Sequence, residues 1–244
     1  MNKSLFYIIV NSLLILSFIP GSRSVRANCY EIPLFGMNYD ENTFLVNLDG
    51  SHQDWRGIKP LWNEVGVDGR GAFEHNIDIK QTYFMNDERY LYVFMRCTPS
   101  IIERFKISST RDIIGNLYFD IDNNSGSGSR NVANFKSEKF KGYELRVLLL
   151  IGGDASSSSN VPAVEYQIGL IKKEESAIYW IFRQNSQNKG SLIAHGPDGI
   201  EFALPLNKLR LKAPATVRVL LAEQAHLSKD EDYSVGIIDL KAWR

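Results

Sequence analysis

The sequence is poor in the residue patterns that build reactive sites. Its two cysteines, Cys29 and Cys97, show no zinc-ligand spacing. Its four histidines, His52, His75, His195 and His226, are dispersed. No Gly-x-Ser-x-Gly elbow, His-Glu-x-x-His helix or phosphate-cradling loop occurs. A glycosidase needs two carboxylates in defined opposition, and nothing marks such a pair among the acidic residues. Neither sign of charge is in excess: 28 basic and 28 acidic residues balance to zero. That balance argues against nucleic acid and anionic membrane surfaces, both of which favour clustered Lys and Arg. No internal repeat and no shift in composition marks a second domain. These absences favour a binding protein over an enzyme.

The one long apolar run is N-terminal. Lys3 precedes an almost wholly apolar stretch over 5–19, Pro20 and Gly21 break it, and Val25-Arg26-Ala27 has the small-residue pattern of a signal-peptidase site. The run is short for a membrane span, which needs about 20 residues. Residues 1–27 are therefore expected to be a cleaved signal peptide, with an uncleaved anchor as the alternative. The leader carries three basic and no acidic residues, which leaves 25 basic against 28 acidic in residues 28–244, a net charge of −3. A secreted or periplasmic location follows, and an oxidising compartment permits a Cys29–Cys97 disulfide. Lipidation of Cys29 is a weaker alternative, because Arg26-Ala27-Asn28 is a poor lipobox. Cys97 ends an apolar run and equally suits a buried thiol.

Residues 28–244 read as one domain. Ten short runs rich in β-branched and aromatic residues recur at 44–48, 77–84, 89–96, 115–122, 143–151, 164–171, 177–183, 200–204, 216–223 and 233–240. Each is bounded by Gly, Pro, Asn, Asp or Ser. With no long helical period between them, they predict an all-β, antiparallel β-sandwich of two packed sheets, immunoglobulin-like or jelly-roll-like, with minor short helices. A tight turn is expected at Asn86-Asp87-Glu88, a short helix or an irregular excursion at 101–108, a helical turn at 205–209, and loops at 125–129 and 155–160.

Two local patterns carry chemistry. In Asp120-Ile121-Asp122-Asn123-Asn124-Ser125-Gly126, oxygen ligands alternate before a Gly/Ser turn, which suits Ca²⁺ through Asp120, Asp122 and Asn124. The alternative is a polar β-turn, since Asn131 stands where an EF-type loop ends in Glu. The second pattern is aromatic. Pyranose C–H faces stack on flat rings while planar polar side chains fix the hydroxyls. Trp180, with Arg183, Gln184 and Asn185 nearby, is the best local set, and Trp62 is a further candidate. Strand alternation puts Tyr179 and Trp180 on opposite faces, so only one of them belongs to the core.

Four segments in order carry a resemblance. They are Asp49-Gly50 with Asp54-Trp55-Arg56-Gly57-Ile58; Asp87-Glu88-Arg89-Tyr90-Leu91-Tyr92; Tyr118-Phe119-Asp120-Ile121-Asp122; and Glu201-Phe202-Ala203-Leu204-Pro205-Leu206. From about residue 47 to the C-terminus the chain resembles family 9 carbohydrate-binding modules and their DOMON-like relatives. The resemblance implies a sandwich, a polysaccharide or glycan ligand held between aromatic rings, and often calcium. On physical grounds Asp49, Asp54 and Trp55 are expected to be structural, Asp49-Gly50 as a turn and Trp55 as an apolar lid with Asp54 capping nearby amides. Two other readings use the same scaffold. A DOMON-like haem or redox protein would draw axial ligands from Met85, Met95 or His75. A structural envelope protein would have lost the sugar site.

Overall fold

The computed structural model describes residues 25–28, 45–63, 77–98, 100–103, 112–129, 132, 140–152, 162–171, 178–223 and 233–242. In chain order the strands are β1 (Val25–Asn28), β2 (Trp62–Asn63), β3 (Asp78–Asn86), β4 (Tyr90–Thr98), β5 (Asp112–Asp120), β6 (Leu145–Gly152), β7 (Ala163–Ile171), β8 (Ile178–Asn185), β9 (Ile193–His195), β10 (Gly199–Pro205), β11 (Ala215–Glu223) and β12 (Tyr233–Leu240). The protein is an all-β sandwich. The larger sheet runs β1-β12-β11-β5-β6-β7-β8 and the smaller runs β2-β3-β4-β10-β9. Every pairing is antiparallel except β1 on β12, which is parallel. β1 straddles the cleavage point expected after Ala27. No helix among the described residues is long and apolar enough to cross a membrane.

Alternation along the strands builds the core. Leu91, Val93, Met95 and Cys97 of β4, Leu117 and Phe119 of β5, and Val147 and Leu149 of β6 point between the sheets and are buried there. Each such aliphatic or aromatic side chain contributes roughly 1.5–3 kcal/mol of burial free energy. The intervening residues of β4, Tyr92 and Phe94, are buried too, in a second apolar cluster with Val46, Trp55, Tyr83 and Met85 on the outer face of the smaller sheet. The segment 45–58 lies over that face. Of the run at 44–48, expected as a strand, residues 45–48 are part of this cover: Leu45 N–H donates to the Tyr92 hydroxyl and Asn47 N–H to Asp54 Oδ2, not to a neighbouring strand.

The β3–β4 turn forms where expected. Asp87 Oδ1 accepts the amides of Arg89 and Tyr90, and its Oδ2 takes the Tyr92 hydroxyl at 2.6 Å. Residues 101–103 are helical, and a hydrogen-bonded turn follows Pro205, with Leu209 N–H bonded to its carbonyl. The remainder of 101–108 and the loop at 155–160 lie outside the described residues.

Candidate functional site

The outer face of the larger sheet is laid out by register. Paired residues share a face, so β11 to β8 place Leu220, Tyr118, Arg146, Gly169 and Trp180 in one row. The next row carries Ala222, Asn116, Leu148, Gln167 and Arg183. Glu165 and Asn185 belong to a third. A bulge at Ile181 shifts the β7–β8 register between the Ile168 and Gly169 pairs. The extra residue reverses the alternation, so Trp180, Arg183 and Asn185 share the outer face. Gln184, opposite Tyr166, points the other way, and its Oε1 lies 3.4 Å from Leu192 N.

Trp180 packs closely against Gly169 of β7, which has no side chain beneath it. A Cβ at Gly169 would stand 3.0 Å from Trp180 Cε3 and 2.3 Å from Ile178 Cγ2. The ring is 44% exposed in spite of this contact. The Arg146 guanidinium stands 5.8 Å from its centroid and 5.9 Å from that of Tyr118, with Arg146 Nε donating to Asn116 Oδ1 at 2.7 Å. Beside them Glu165, buried, accepts from Gln167 Nε2 and Arg183 Nη2. The Arg183 side chain is 61% exposed. An exposed ring thus sits among two guanidinium groups and an amide whose positions are fixed by a buried carboxylate and an asparagine. Asn185 is at the margin, its Oδ1 closing a turn to Gln187 N.

Trp62 is not part of this surface. It is 5% exposed and meets Phe84 edge-on in the core. It offers no ring face to a ligand, because β2 pairs it with Thr82 on the inner side of the smaller sheet. Trp243 lies outside the described residues. Sequence reasoning missed Arg146, Gln167 and Glu165. Their signal was the alternation of polar residues in β6 and β7, which reads equally as any solvated strand face.

The acidic loop after β5 gathers three carboxylates. Ligand oxygens of Asp120, Asp122 and Glu144 lie within 4.8 Å of one another. Asn124 contributes differently from expectation: its Oδ1 turns back to Gly126 N, and its own N–H is shared by Asp120 Oδ1 and Asp122 Oδ1. Asn123 adopts φ +52° to allow that curl. Glu144, absent from the sequence-based set, takes the third place. Ser127 Oγ lies 2.7 Å from Glu144 Oε1 and Asn124 O and 2.9 Å from Asp122 Oδ1. One hydroxyl proton cannot serve three acceptors. Burial raises the Asp120 carboxyl above its usual range, against the pull of Arg218. Burial also raises Glu144, and the neighbouring Asp120 and Asp122 add to the shift.

Asp49, Asp54 and Trp55 form a lock. Ser51 caps the single 3-10 turn His52–Trp55, and Trp55 is fully buried. Glu201 of β10 accepts Trp55 Nε1 at 2.7 Å on one oxygen, and the amides of Asp49 and Gly50 at 3.1 Å each on the other. Gly50, at φ +71°, is pressed so closely on Gly196 that a Cβ would stand 2.1 Å from its nitrogen. Asp54 and Asp49 bond locally, to Asn47 N and Ser51 N. Trp55 therefore closes the outer face of the smaller sheet rather than one end of the main core. The first and last resemblance segments meet at this carboxylate.

Met95 packs between the sheets and Met85 on the outer face of the smaller one. Side chains on opposite faces of one sheet do not frame a common haem pocket. His75 and Cys29 lie outside the described residues. Cys97 is buried, its Sγ 3.4 Å from Met95 O. No protein-family model, curated protein or solved structure matches this chain.

Proposed function

We propose that this protein is an exported, non-catalytic carbohydrate-binding protein, similar to family 9 carbohydrate-binding modules, that takes a glycan across the outer face of β6–β8. One observation carries the reading: an exposed tryptophan packed on Gly169, with Arg146, Arg183 and Gln167 around it. The ring supplies an apolar platform for pyranose C–H groups, and the guanidinium and amide groups supply planar donors for hydroxyls. A glycan-array screen followed by calorimetry tests it. Trp180→Ala is expected to weaken binding of the best glycan roughly 30-fold, as loss of a central aromatic anchor does, with an unchanged melting temperature. Failure of the wild-type protein to bind any glycan sinks the proposal and leaves a structural envelope role. No turnover of the bound polysaccharide is expected.

Calcium at the β5 loop belongs to the same proposal. The supporting observation is the surplus of oxygen acceptors around Ser127, which a hard divalent cation would resolve. Asp122, Glu144, the Asn124 carbonyl and the remaining oxygen of Asp120 would hold it. Calcium is expected to raise the melting temperature of the wild type. In an Asp122→Asn, Glu144→Gln variant, which keeps the Asp120–Arg218 pair, that rise is expected to vanish. A wild-type protein indifferent to calcium rules the site out.

A further inference from the structure

Among the described residues, the outer face of the smaller sheet is only partly covered. Register gives it three rows: Met85–Tyr92–Ala203, Tyr83–Phe94–Glu201, and Asn63–Gln81–Arg96–Gly199. The segment 45–58 and its Trp55 close the first two. The third is open. Asn63, Arg96 and Thr98 are exposed there, and Gln81 and Lys80 are half-buried, around a shallow cavity of about 340 Å³. A bulge at Lys80, where the β3–β4 register shifts between Ile79 and Gln81, turns Gln81 outward beside Arg96 while Ile79 stays in the core.

The row is wired together. Tyr83 donates its hydroxyl to Gln81 Oε1 at 3.0 Å, and Arg96 Nη1 reaches the same oxygen at 3.3 Å. Gln81 Nε2 donates to Asn63 Oδ1. His52 Nε2 stands 3.0 Å from the Tyr83 hydroxyl and, since that hydroxyl gives its proton to Gln81, is the donor there. Lys80 is matched by Asp78 at 2.5 Å, and the nearby Asp198 carboxylate is taken by the His52 amide. Among the described residues no carboxylate pairs with Arg96. Its charge is felt by its neighbours: burial lowers the His52 pKa, and Arg96 lowers it further against the pull of Asp198.

We propose that this row is a second binding site, in which the Arg96 guanidinium, framed by Gln81, Asn63 and Thr98, takes an oxyanion: the carboxylate or sulfate ester of an acidic polysaccharide. A guanidinium whose only partner among the described residues is a neutral amide oxygen retains donors for a bidentate oxyanion contact, and the adjacent amide and hydroxyl groups suit the flanking hydroxyls of a sugar. This site is on the opposite side of the sandwich from Trp180, with two sheets about 10 Å apart between them. The site does not depend on the Trp180 reading.

The test titrates the Trp180→Ala protein, in which the first site is disabled, with trigalacturonate, inorganic sulfate and a neutral glucose trisaccharide. Trigalacturonate is expected to bind, to weaken as salt rises, and to lose at least 10-fold in affinity when Arg96→Gln is added. Arg96→Lys, which keeps the charge without the fork, is expected to recover part of the loss. Sulfate binding that is lost in Arg96→Gln without any trigalacturonate binding supports the oxyanion site and assigns it to a free anion. Equal affinity for the neutral trisaccharide, unchanged affinity in Arg96→Gln, or binding of neither charged probe overturns the proposal. Arg96 is exposed, so the variant's melting temperature should match its parent.

Discussion

A Glu201→Ala variant is expected to lose roughly 3–6 kcal/mol of stability, since each buried polar group left without a partner costs about 1–3 kcal/mol. Three donors depend on this carboxylate: Trp55 Nε1 and the amides of Asp49 and Gly50. A loss of that size consumes a large part of the about 5–15 kcal/mol that holds a domain together. Glu201→Gln does not repair it. One amide oxygen can still serve the two backbone donors, but the amide nitrogen then faces the indole N–H, donor against donor. Chemical denaturation of wild type and both variants measures the effect, and Trp55 fluorescence reports whether the 45–58 cover lifts first. The same residue gives a pH signature. Burial pushes its carboxyl up to about 7, against the three donors that favour the ionised form. A carboxyl raised in the folded state binds more protons there than in the unfolded chain between about 4.5 and 7. Its contribution is therefore full at low pH and lost as pH rises through 7. The stability gap between wild type and Glu201→Gln should narrow from pH 5 to pH 8. A gap independent of pH would show that Glu201 titrates as it does in the unfolded chain.

The strand rhythm was legible because it is a local property. Nine of the ten apolar runs became strands, and 233–240 became β12 with the same bounds. The exception, 44–48, shows why alternation alone is not enough: Leu45, Val46 and Leu48 pack on a sheet face, and the Leu45 and Asn47 amides bond side chains. The short β2 and β9 carry too few residues to show a period, and residues 25–27 of β1 were read as part of the leader. The candidate site was half legible. Composition singled out the segment around Trp180, but strict alternation would have set Trp180 and Arg183 on opposite faces. Only the bulge at Ile181 unites them, and a bulge is a property of the pairing with β7. Arg146 and Glu165 arrive from other strands, so their contributions follow from register rather than sequence distance. Glu201 was the same kind of case: 146 residues separate it from Trp55, and a turn glycine seals the contact.

Arg218→Met is expected to destabilise the protein by about 3–5 kcal/mol, because it leaves a buried carboxylate without its counter-charge. Both Nε and Nη2 of Arg218 bond Asp120 Oδ2, at 2.9 and 2.6 Å, and Nη2 also reaches the Lys141 carbonyl. Asp120 is fully buried and Arg218 only 17% exposed, so water screens the pair little. The guanidinium lies over the Tyr143 ring, 4.9 Å from its centroid. Asp120 is already raised by burial with Arg218 present, and removing the guanidinium raises it further. The sign follows from linkage. With its folded pKa above its unfolded one, Asp120 is protonated, neutral and tolerated at low pH, and becomes a buried charge as pH rises through the folded value. The penalty of Arg218→Met should thus be greatest at pH 8 and shrink on acidification toward pH 5. Adding Asp120→Asn removes the charge and should return part of the loss at neutral pH, since a neutral pair avoids the unpaired ion. A penalty equal at both pH values, and not relieved by Asp120→Asn, would mean that Arg218 acts through its packing on Tyr143 and its bond to Lys141. The comparison also bears on calcium. A cation bound by Asp122 and Glu144 beside Asp120 would replace the lost positive charge, so the calcium-dependent rise in melting temperature should be larger in Arg218→Met than in the wild type.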